Sequence, residues 1–247
     1  MRRFGYIIIL LFFACNSEEA NDCFQTSGAT VQQEVSVLGF EKILVNRNIE
    51  LILKDAPQHK VVIETGENLI NDITVEVIDD RLILTDNNHC NFIREYGSTK
   101  IYIDAPNISE IRSSTQFKIA SNGVLNYSKL VLFSEDYNGV GDFTTGDFVL
   151  SVNAEDLTVI SNNLSFYYLN GEVENLFVGF YSGLGRFEGE NLVAQNVNIY
   201  HRGGNDIIVN PQISLNGELK GAGNLIALNV PSIVNVEQFY TGQLIFN

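Results

Sequence analysis

An early part of the sequence consists of short apolar runs separated by turn residues. Between about residues 34 and 105, segments such as NIELILKD, KVVIETG and KIYIDAP are rich in Val and Ile and partly alternate apolar with polar side chains. This pattern is typical of short β-strands. Asp79 and Asp80 separate two such runs and predict a tight hairpin turn. We therefore expect an antiparallel β region over residues 34–106.

From residue 107 to the C-terminus, polar turns recur with a period of about 20 residues, a spacing typical of solenoids. The aligned turns are NGVGDF, NNLSF, SGLGRF, RGGNDI, KGAGNL and TGQLI. The apolar residues that follow the turns form one column, Phe143, Phe166, Phe187, Ile207, Leu225 and Leu244. A second column lies earlier in each repeat, at Leu130, Leu157, Leu176, Val197, Leu215 and Val234. Two columns in register predict stacked β coils, about six of them over residues 107–247.

Glycine recurs in these turns, at Gly139, Gly183, Gly203, Gly221 and Gly242. We expect each glycine to occupy a corner with positive φ, where a Cβ would crowd the neighbouring coil.

The N-terminus has the features of an export signal. Arg2 and Arg3 precede the apolar run YIIILLFF, which is too short for a membrane-spanning helix. Ala14 then stands directly before Cys15, as in the lipobox of bacterial lipoproteins. This resemblance implies that residues 1–14 are a signal peptide and that Cys15 becomes the lipidated N-terminus. An ordinary secretory signal with an incidental cysteine is the alternative.

The segment that follows predicts a flexible tether over residues 15–33. Its acidic sequence NSEEAND resembles the signal that directs some lipoproteins to the cell surface. The predicted location is the outer membrane, with the chain facing either the periplasm or the exterior. In such an oxidising compartment, Cys23 and Cys90 are expected to form a disulfide. A zinc site is the weaker alternative, since His89 is the only histidine nearby.

The charge balance excludes some classes of partner. Fifteen basic and 30 acidic residues give a net charge of −15, which disfavours nucleic acid and anionic membrane surfaces. No cofactor is predicted. The turn carboxylates Glu135, Asp136 and Asp142 could hold calcium, but no EF-hand loop accompanies them, and solvated acids are the simpler interpretation.

Several motifs carry a family resemblance. Phe40, Ile43 and Val45 near the start, the hairpin from Ile73 to Ile83, a strand ending at Pro106 and the repeated G-x-G turns resemble the putative auto-transporter adhesin, head GIN domain family. The resemblance implies a secreted or lipid-anchored protein without enzymatic activity. The expected fold is all-β, with the antiparallel region continuing into a right-handed parallel β-helix, a form of β-solenoid.

The stacked turns predict a candidate ligand-binding face. Aromatic and polar residues side by side can stack on sugar rings and bond their hydroxyl groups. The expected members are Tyr137, Asn138, Tyr181, Ser182, His201, Arg202, Lys220 and Tyr240. A solvated surface without a ligand is the alternative interpretation.

The predicted function is non-catalytic binding or adhesion, with a glycan or a protein surface as the ligand. A purely structural envelope protein is the alternative. A polysaccharide-active enzyme is less favoured, because the cations Arg186, Arg202 and Lys220 and the carboxylates Glu135 and Asp142 show no obvious convergence. The last strand, QLIFN, leaves an open edge that predicts a partner or a homo-oligomer.

Overall fold

The computed structural model describes residues 23–88, 90–92, 94, 97, 99–135 and 143–247. The predicted signal peptide, Cys15, Tyr137 and Asn138 lie outside these residues. The described chain is all-β apart from one turn of 3-10 helix at Ile70–Asp72. Its strands are β1 (Thr30–Val35), β2 (Lys42–Val45), β3 (Ile49–Asp55), β4 (Lys60–Gly66), β5 (Ile73–Ile78), β6 (Arg81–Asp86), β7 (Thr99–Ala105), β8 (Glu110–Ser113), β9 (Ile119–Asn126), β10 (Lys129–Ser134), β11 (Phe148–Ser161), β12 (Phe166–Phe180), β13 (Arg186–His201), β14 (Ile207–Leu219), β15 (Leu225–Ala227), β16 (Ile233–Gln238) and β17 (Leu244–Phe246).

The 17 strands form one sheet made of two ladders. The first ladder runs β5, β6, β2, β8, β10, then the C-terminal halves of β11 to β14, then β16. The second runs β1, β4, β7, β3, β9, then the N-terminal halves of β11 to β14, then β15 and β17. The long strands β11 to β14 therefore belong to both ladders and join them.

The N-terminal region is only partly antiparallel. Its hairpin β5–β6 is antiparallel as predicted, and the turn residues Asp79 and Asp80 have φ of 49° and 61°. Strands β1, β4 and β7 also pair antiparallel. However, β2 pairs with β6, and β3 with β7, in parallel. The prediction was wrong for these strands because β2 and β3 already lie within the two parallel ladders, and only β4 and β5 run in the opposite direction.

One predicted column of the repeats is confirmed residue by residue. Leu130, Leu157, Leu176, Val197, Leu215 and Val234 are successive partners in the first ladder. In the second ladder, Phe187, Ile207, Leu225 and Leu244 are likewise partners. Earlier in that column, however, the partners are Phe148 and Tyr167. The prediction that placed Phe143 and Phe166 there was wrong, because its alignment followed turns of unequal length.

The inward side chains of both ladders form a single hydrophobic core. The rings of Phe148 and Tyr167 stack across neighbouring strands with centroids 4.9 Å apart, and Phe180 and Phe187 lie beside Tyr167. All four aromatic side chains are fully buried. Complete burial of one such side chain contributes about 1.5–3 kcal/mol, so this cluster is a principal source of stability between the two ladders.

A disulfide fastens the N-terminal segment to the sheet. Cys23 and Cys90 are bonded as predicted, 67 residues apart in sequence. Nearby, the buried Gln25 donates to the carbonyl oxygen of Asn68 at 2.8 Å, and Arg94 donates to that of Cys90 at 2.8 Å. Closing a loop of this length removes roughly 4 kcal/mol of conformational entropy from the unfolded chain.

At the turn glycines the predicted crowding of a Cβ is confirmed, whereas the predicted positive φ is not general. Among those described, Gly183 alone has a positive φ, of 85°. At Gly221 a Cβ would lie 2.2 Å from the carbonyl oxygen of Gly203, and at Gly242 it would lie 2.2 Å from that of Gly223. These positions need glycine because stacked turns bring their backbones together, and their φ angles are not in the left-handed region.

We expect Gly221→Ala to lower the free energy of unfolding by about 2 kcal/mol or more, because backbone atoms at the turn must shift to admit the methyl group. Chemical denaturation of the two proteins would measure the loss. Gly39→Ala is the matched control, since a Cβ there meets only His59 Cε1 at 3.8 Å. Equal stability of Gly221→Ala and Gly39→Ala would contradict the close-approach explanation.

Candidate ligand-binding face

Only some of the residues predicted for the turn face lie on the surface. Tyr181, Ser182, Arg202 and Tyr240 are exposed, and Lys220 is half-buried. His201 is fully buried, so its inclusion was wrong. The cause is a one-residue error in register, which in a strand moves a side chain to the opposite side of the sheet.

The observed register defines the row to which these residues belong. His201 pairs with Phe180 and Leu219, whose side chains also point inward. The next residue along each strand points outward. Backbone hydrogen bonds from Arg202 to Phe180, from Lys220 to His201 and from Phe239 to Leu219 fix this outward row. Its members are Asn162, Tyr181, Arg202, Lys220 and Phe239.

This row is one edge of a larger surface on the outside of the first ladder, which we call the amide–aromatic face. Three further outward columns cross β11 to β16 beside it. Their members are Asp156, Asn175, Asn196 and Ser214; Thr158, Phe177, Asn198, Asn216 and Asn235; and Ile160, Gly179, Tyr200, Glu218 and Glu237.

The first of these columns is a continuous chain of hydrogen bonds between side chains. Asn175 Nδ2 donates to Asp156 Oδ1 at 3.0 Å, and Asn196 Nδ2 donates to Asn175 Oδ1 at 3.2 Å. Ser214 Oγ donates to Asn196 Oδ1 at 2.9 Å. Lys129 Nζ lies 3.3 Å from Asp156 Oδ2 and completes the chain at its other end. These side chains satisfy one another and form a fixed border to the face.

The second column differs, because its amides are free. Among the described residues, the side-chain amides of Asn198, Asn216 and Asn235 have no hydrogen-bond partner, and Asn198 and Asn235 are exposed. An exposed primary amide can donate two hydrogen bonds and accept two. The column therefore offers repeated donor and acceptor groups to a ligand.

Shallow grooves follow these columns. One, of about 440 Å³, is bordered by Asn175, Phe177, Asn196 and Asn198. A second, of about 340 Å³, continues across Phe177 to Tyr200 and Glu237. Together they form an open surface bordered by both aromatic and amide side chains.

Aromatic rings occupy the side of the face opposite the hydrogen-bonded column. The rings of Tyr181 and Tyr200 are 4.9 Å apart and inclined by 30°. Lys220 Nζ lies 5.2 Å from the ring of Tyr200 and 5.1 Å from that of Phe239. Its hydrogen bond to Glu218, at 2.6 Å, raises the pKa of the Lys220 ammonium group. Lys220 therefore lies between the rings of Tyr200 and Phe239, where its charge is attracted to both.

The sequence contains a signal for the missed residues. Phe177, Asn198, Asn216 and Asn235 each follow directly after a member of the confirmed column, Leu176, Val197, Leu215 and Val234. In a strand, the residue after a buried position points outward. The turn residues alone do not reveal this column of amides, because it lies within the strands.

Of the candidate enzyme residues that the structure describes, Arg202 and Lys220 are neighbours in the outward row, but Arg186 and Glu135 lie apart from them. Arg186 lies on the second ladder, bonded to Glu188 and 3.9 Å from Asp206. Glu135 instead accepts hydrogen bonds from Arg112 and Asn162, and Asp142 lies outside the described residues. Within the described part of the chain, no group of three or more His, Cys, Asp and Glu side chains is placed to bind a metal ion.

Among the described residues, no helix has the length and apolar character needed to cross a membrane.

The fold and this face define an all-β protein whose outer surface carries columns of amide and aromatic side chains. The chain belongs to the putative auto-transporter adhesin, head GIN domain family, whose profile matches residues 39–231. No curated protein matches the chain.

Solved structures share the fold. A putative adhesin from Bacteroides fragilis is 19% identical, with 90% of this chain and 99% of that chain aligned and a TM-score of 0.78. A putative adhesin from Parabacteroides distasonis is 13% identical over 89% of this chain and 99% of its own, with a TM-score of 0.63. A putative lipid binding protein from the same organism is 14% identical over 89% and 97%, with a TM-score of 0.59.

The environment of His201 affects how the stability of the fold depends on pH. Its Nδ1 accepts a hydrogen bond from the Gly203 N–H at 3.3 Å, and its ring meets the Phe180 ring edge-on at 6.0 Å. Burial lowers the pKa of His201 below its ordinary value of 6.5, and the Asn205 backbone and the Asp206 carboxylate only partly oppose this effect. The folded protein thus favours the neutral ring.

We expect stability to fall as the pH is lowered below 6.5, because the unfolded chain then binds a proton at His201 that the folded chain takes up only at lower pH. His201→Leu should lessen this dependence. Denaturant unfolding of both proteins, from above to well below that pH, would measure it. Parallel curves for parent and variant would show that His201 makes no contribution.

Proposed function

We propose that this protein is a non-catalytic binding module of the cell envelope that recognises carbohydrate through the amide–aromatic face. The observation that supports this most strongly is the row of free amides at Asn198, Asn216 and Asn235 beside the rings of Phe177 and Tyr200. Membership of an adhesin-like family favours a binding role over an enzymatic one.

The chemistry of the face suits sugars. The apolar faces of pyranose rings pack on aromatic side chains, while their hydroxyl groups exchange hydrogen bonds with amides. Strands in a sheet repeat at about 4.8 Å, so the same amide recurs at regular intervals across the face. A linear polysaccharide lying across the strands could contact several equivalent positions at once.

One structural neighbour is described as a lipid binding protein, which makes a lipid the second candidate ligand. The present surface favours sugars. Its grooves are open and carry amides and carboxylates, whereas an acyl chain requires an enclosed apolar cavity.

For the architecture, we propose that the two ladders wind as a right-handed parallel β-helix. The chain alternates between the ladders, and from β8 onward successive passes pair in parallel. Parallel connections within one sheet are right-handed in nearly all proteins. The amide–aromatic face would then be one flat side of the helix.

For the location, we propose export followed by anchoring through lipid on Cys15, with the outer membrane as the membrane partner. The support is the sequence of residues 1–15, in which two arginines, an apolar run and Ala14 precede the cysteine. The acidic residues after Cys15 favour exposure at the cell surface. An adhesin-like family is also consistent with an envelope protein.

A glycan array probed with the purified full chain would test carbohydrate recognition. For a glycan that binds, we expect Asn198→Ala and Tyr200→Ala each to weaken affinity by about tenfold, the effect of losing roughly 1.4 kcal/mol. Tyr168→Ala is the matched control, because Tyr168 is 42% exposed on the second ladder. Absence of binding across the array, or an equal loss in Tyr168→Ala, would contradict the proposal.

Anchoring can be tested in cells that express the chain beside its Cys15→Ala variant. We expect protease added to intact cells to cleave the parent, and we expect Cys15→Ala to be released from the membrane fraction. Protection until the outer membrane is opened would place the anchored chain on the periplasmic side. Release of the parent to the same extent as the variant would contradict lipid anchoring.

A further inference from the structure

Both ladders end in a free strand edge at the C-terminal end of the sheet. Among the described residues, β16 pairs only with β14 and β17 pairs only with β15. The outer edges of both strands therefore carry backbone N–H and C=O groups without a partner strand. Such an edge is a template for pairing with another strand.

The core is also left open at this end. Leu215 is fully buried, but its neighbour in the same column, Val234, is 41% exposed. Val236 and Leu244 are likewise inward positions that remain partly exposed. These side chains pack against the core on one side, and no strand of the described part of the chain covers the other.

We propose that a second copy of this chain covers the edge, with the two β16 strands paired antiparallel about a two-fold axis at Asn235. The hydrogen bond from the Phe239 N–H to Leu219 shows that odd-numbered residues of β16 direct their peptide groups toward β14. Val234 and Val236 consequently direct theirs toward the free edge. In this register, each Val234 exchanges backbone hydrogen bonds with Val236 of the second copy.

Side-chain complementarity favours this register. It places Val234 against Val236 on the inward side, so the aliphatic column continues through the interface. On the outward side it places Ile233 beside Glu237 and the two Asn235 amides beside each other. A register centred on Glu237 would oppose two carboxylates, and one centred on Val236 would set Val234 against Gln238. Of these registers, the Asn235-centred one combines core continuity with the absence of like-charge pairs.

At the opposite end of the sheet, the second ladder does not offer an equivalent partner for β17. There the second ladder ends in β1, whose residues Gln32, Gln33 and Glu34 are exposed. Polar and charged side chains protect a strand edge from pairing. Head-to-tail stacking would place the edge of β17 against this polar strand, whereas pairing of like ends joins two aliphatic β16 edges and stops at a dimer.

The proposed axis has a consequence for the outward surface. A two-fold axis perpendicular to the sheet at Asn235 keeps both amide–aromatic faces on the same side of the dimer. The two faces would join through the two Asn235 side chains into one longer surface. A periodic ligand could then bind both copies at once, which increases the apparent affinity.

Cysteine cross-linking tests the register directly. Opposed Cα atoms at a non-hydrogen-bonded antiparallel pair lie about 4.5 Å apart, within the range that a disulfide spans. We expect Asn235→Cys in the full chain to give a covalent dimer on a non-reducing gel. Asn198→Cys is the matched control, because it lies in the same outward column but two strands inside the edge. It should give no more covalent dimer than the parent.

Sedimentation velocity of the full chain in detergent tests the dimer independently of any glycan. We expect the parent to sediment as a dimer and Val236→Lys as a monomer, because a charge would enter the apolar column. Val149→Lys, at a residue 38% exposed on the second ladder, should remain dimeric. A monomeric parent at every concentration, or equal cross-linking of Asn198→Cys and Asn235→Cys, would overturn the proposal while leaving glycan recognition to its own test.

Discussion

In-register parallel pairing between successive strands is the constraint on which the rest of this structure depends. A single strand cannot bury its inward side chains alone and needs the strands on either side of it, and each long strand from β11 to β14 contributes to both ladders. Once the backbone register is fixed, the inward columns, the outward columns and the turns are fixed with it. Stability is therefore distributed along the stack.

The same constraint accounts for the unusual residues at the turns. Stacked turns bring backbone carbonyl groups so close that a Cβ at Gly221 or Gly242 would overlap them. At the end of β13 the His201 side chain points into the core beside Phe180, and its Nδ1 accepts a hydrogen bond from the Gly203 N–H. Close stacking thus requires glycine at residues 221 and 242, and it excludes water from the ring of His201.

This arrangement explains which features of the fold could be predicted from the sequence. The column from Leu130 to Val234 was predictable, because regularly spaced aliphatic residues occur where register is continuous. The sequence predicted Phe166 as the inward residue, because the NNLS turn lacks the glycine that marks other turns and because the neighbouring Tyr167 is also aromatic. A one-residue error of this kind exchanges the two sides of a strand. For that reason the sequence predicted the aliphatic column of the first ladder better than it predicted the members of the amide–aromatic face.

The two ends of the stack show what the repeat alone cannot supply. At the N-terminal end, antiparallel strands, a disulfide and the polar strand β1 cover the core. At the other end, β16 continues the aliphatic column without covering it, and Val234 stays partly exposed where Leu215 is not. A repeat that buries its core only by stacking must be closed by something different at each end or by another copy of itself. Because the outward columns continue to the uncovered edge, closure by a second copy would also extend the surface that carries the amides.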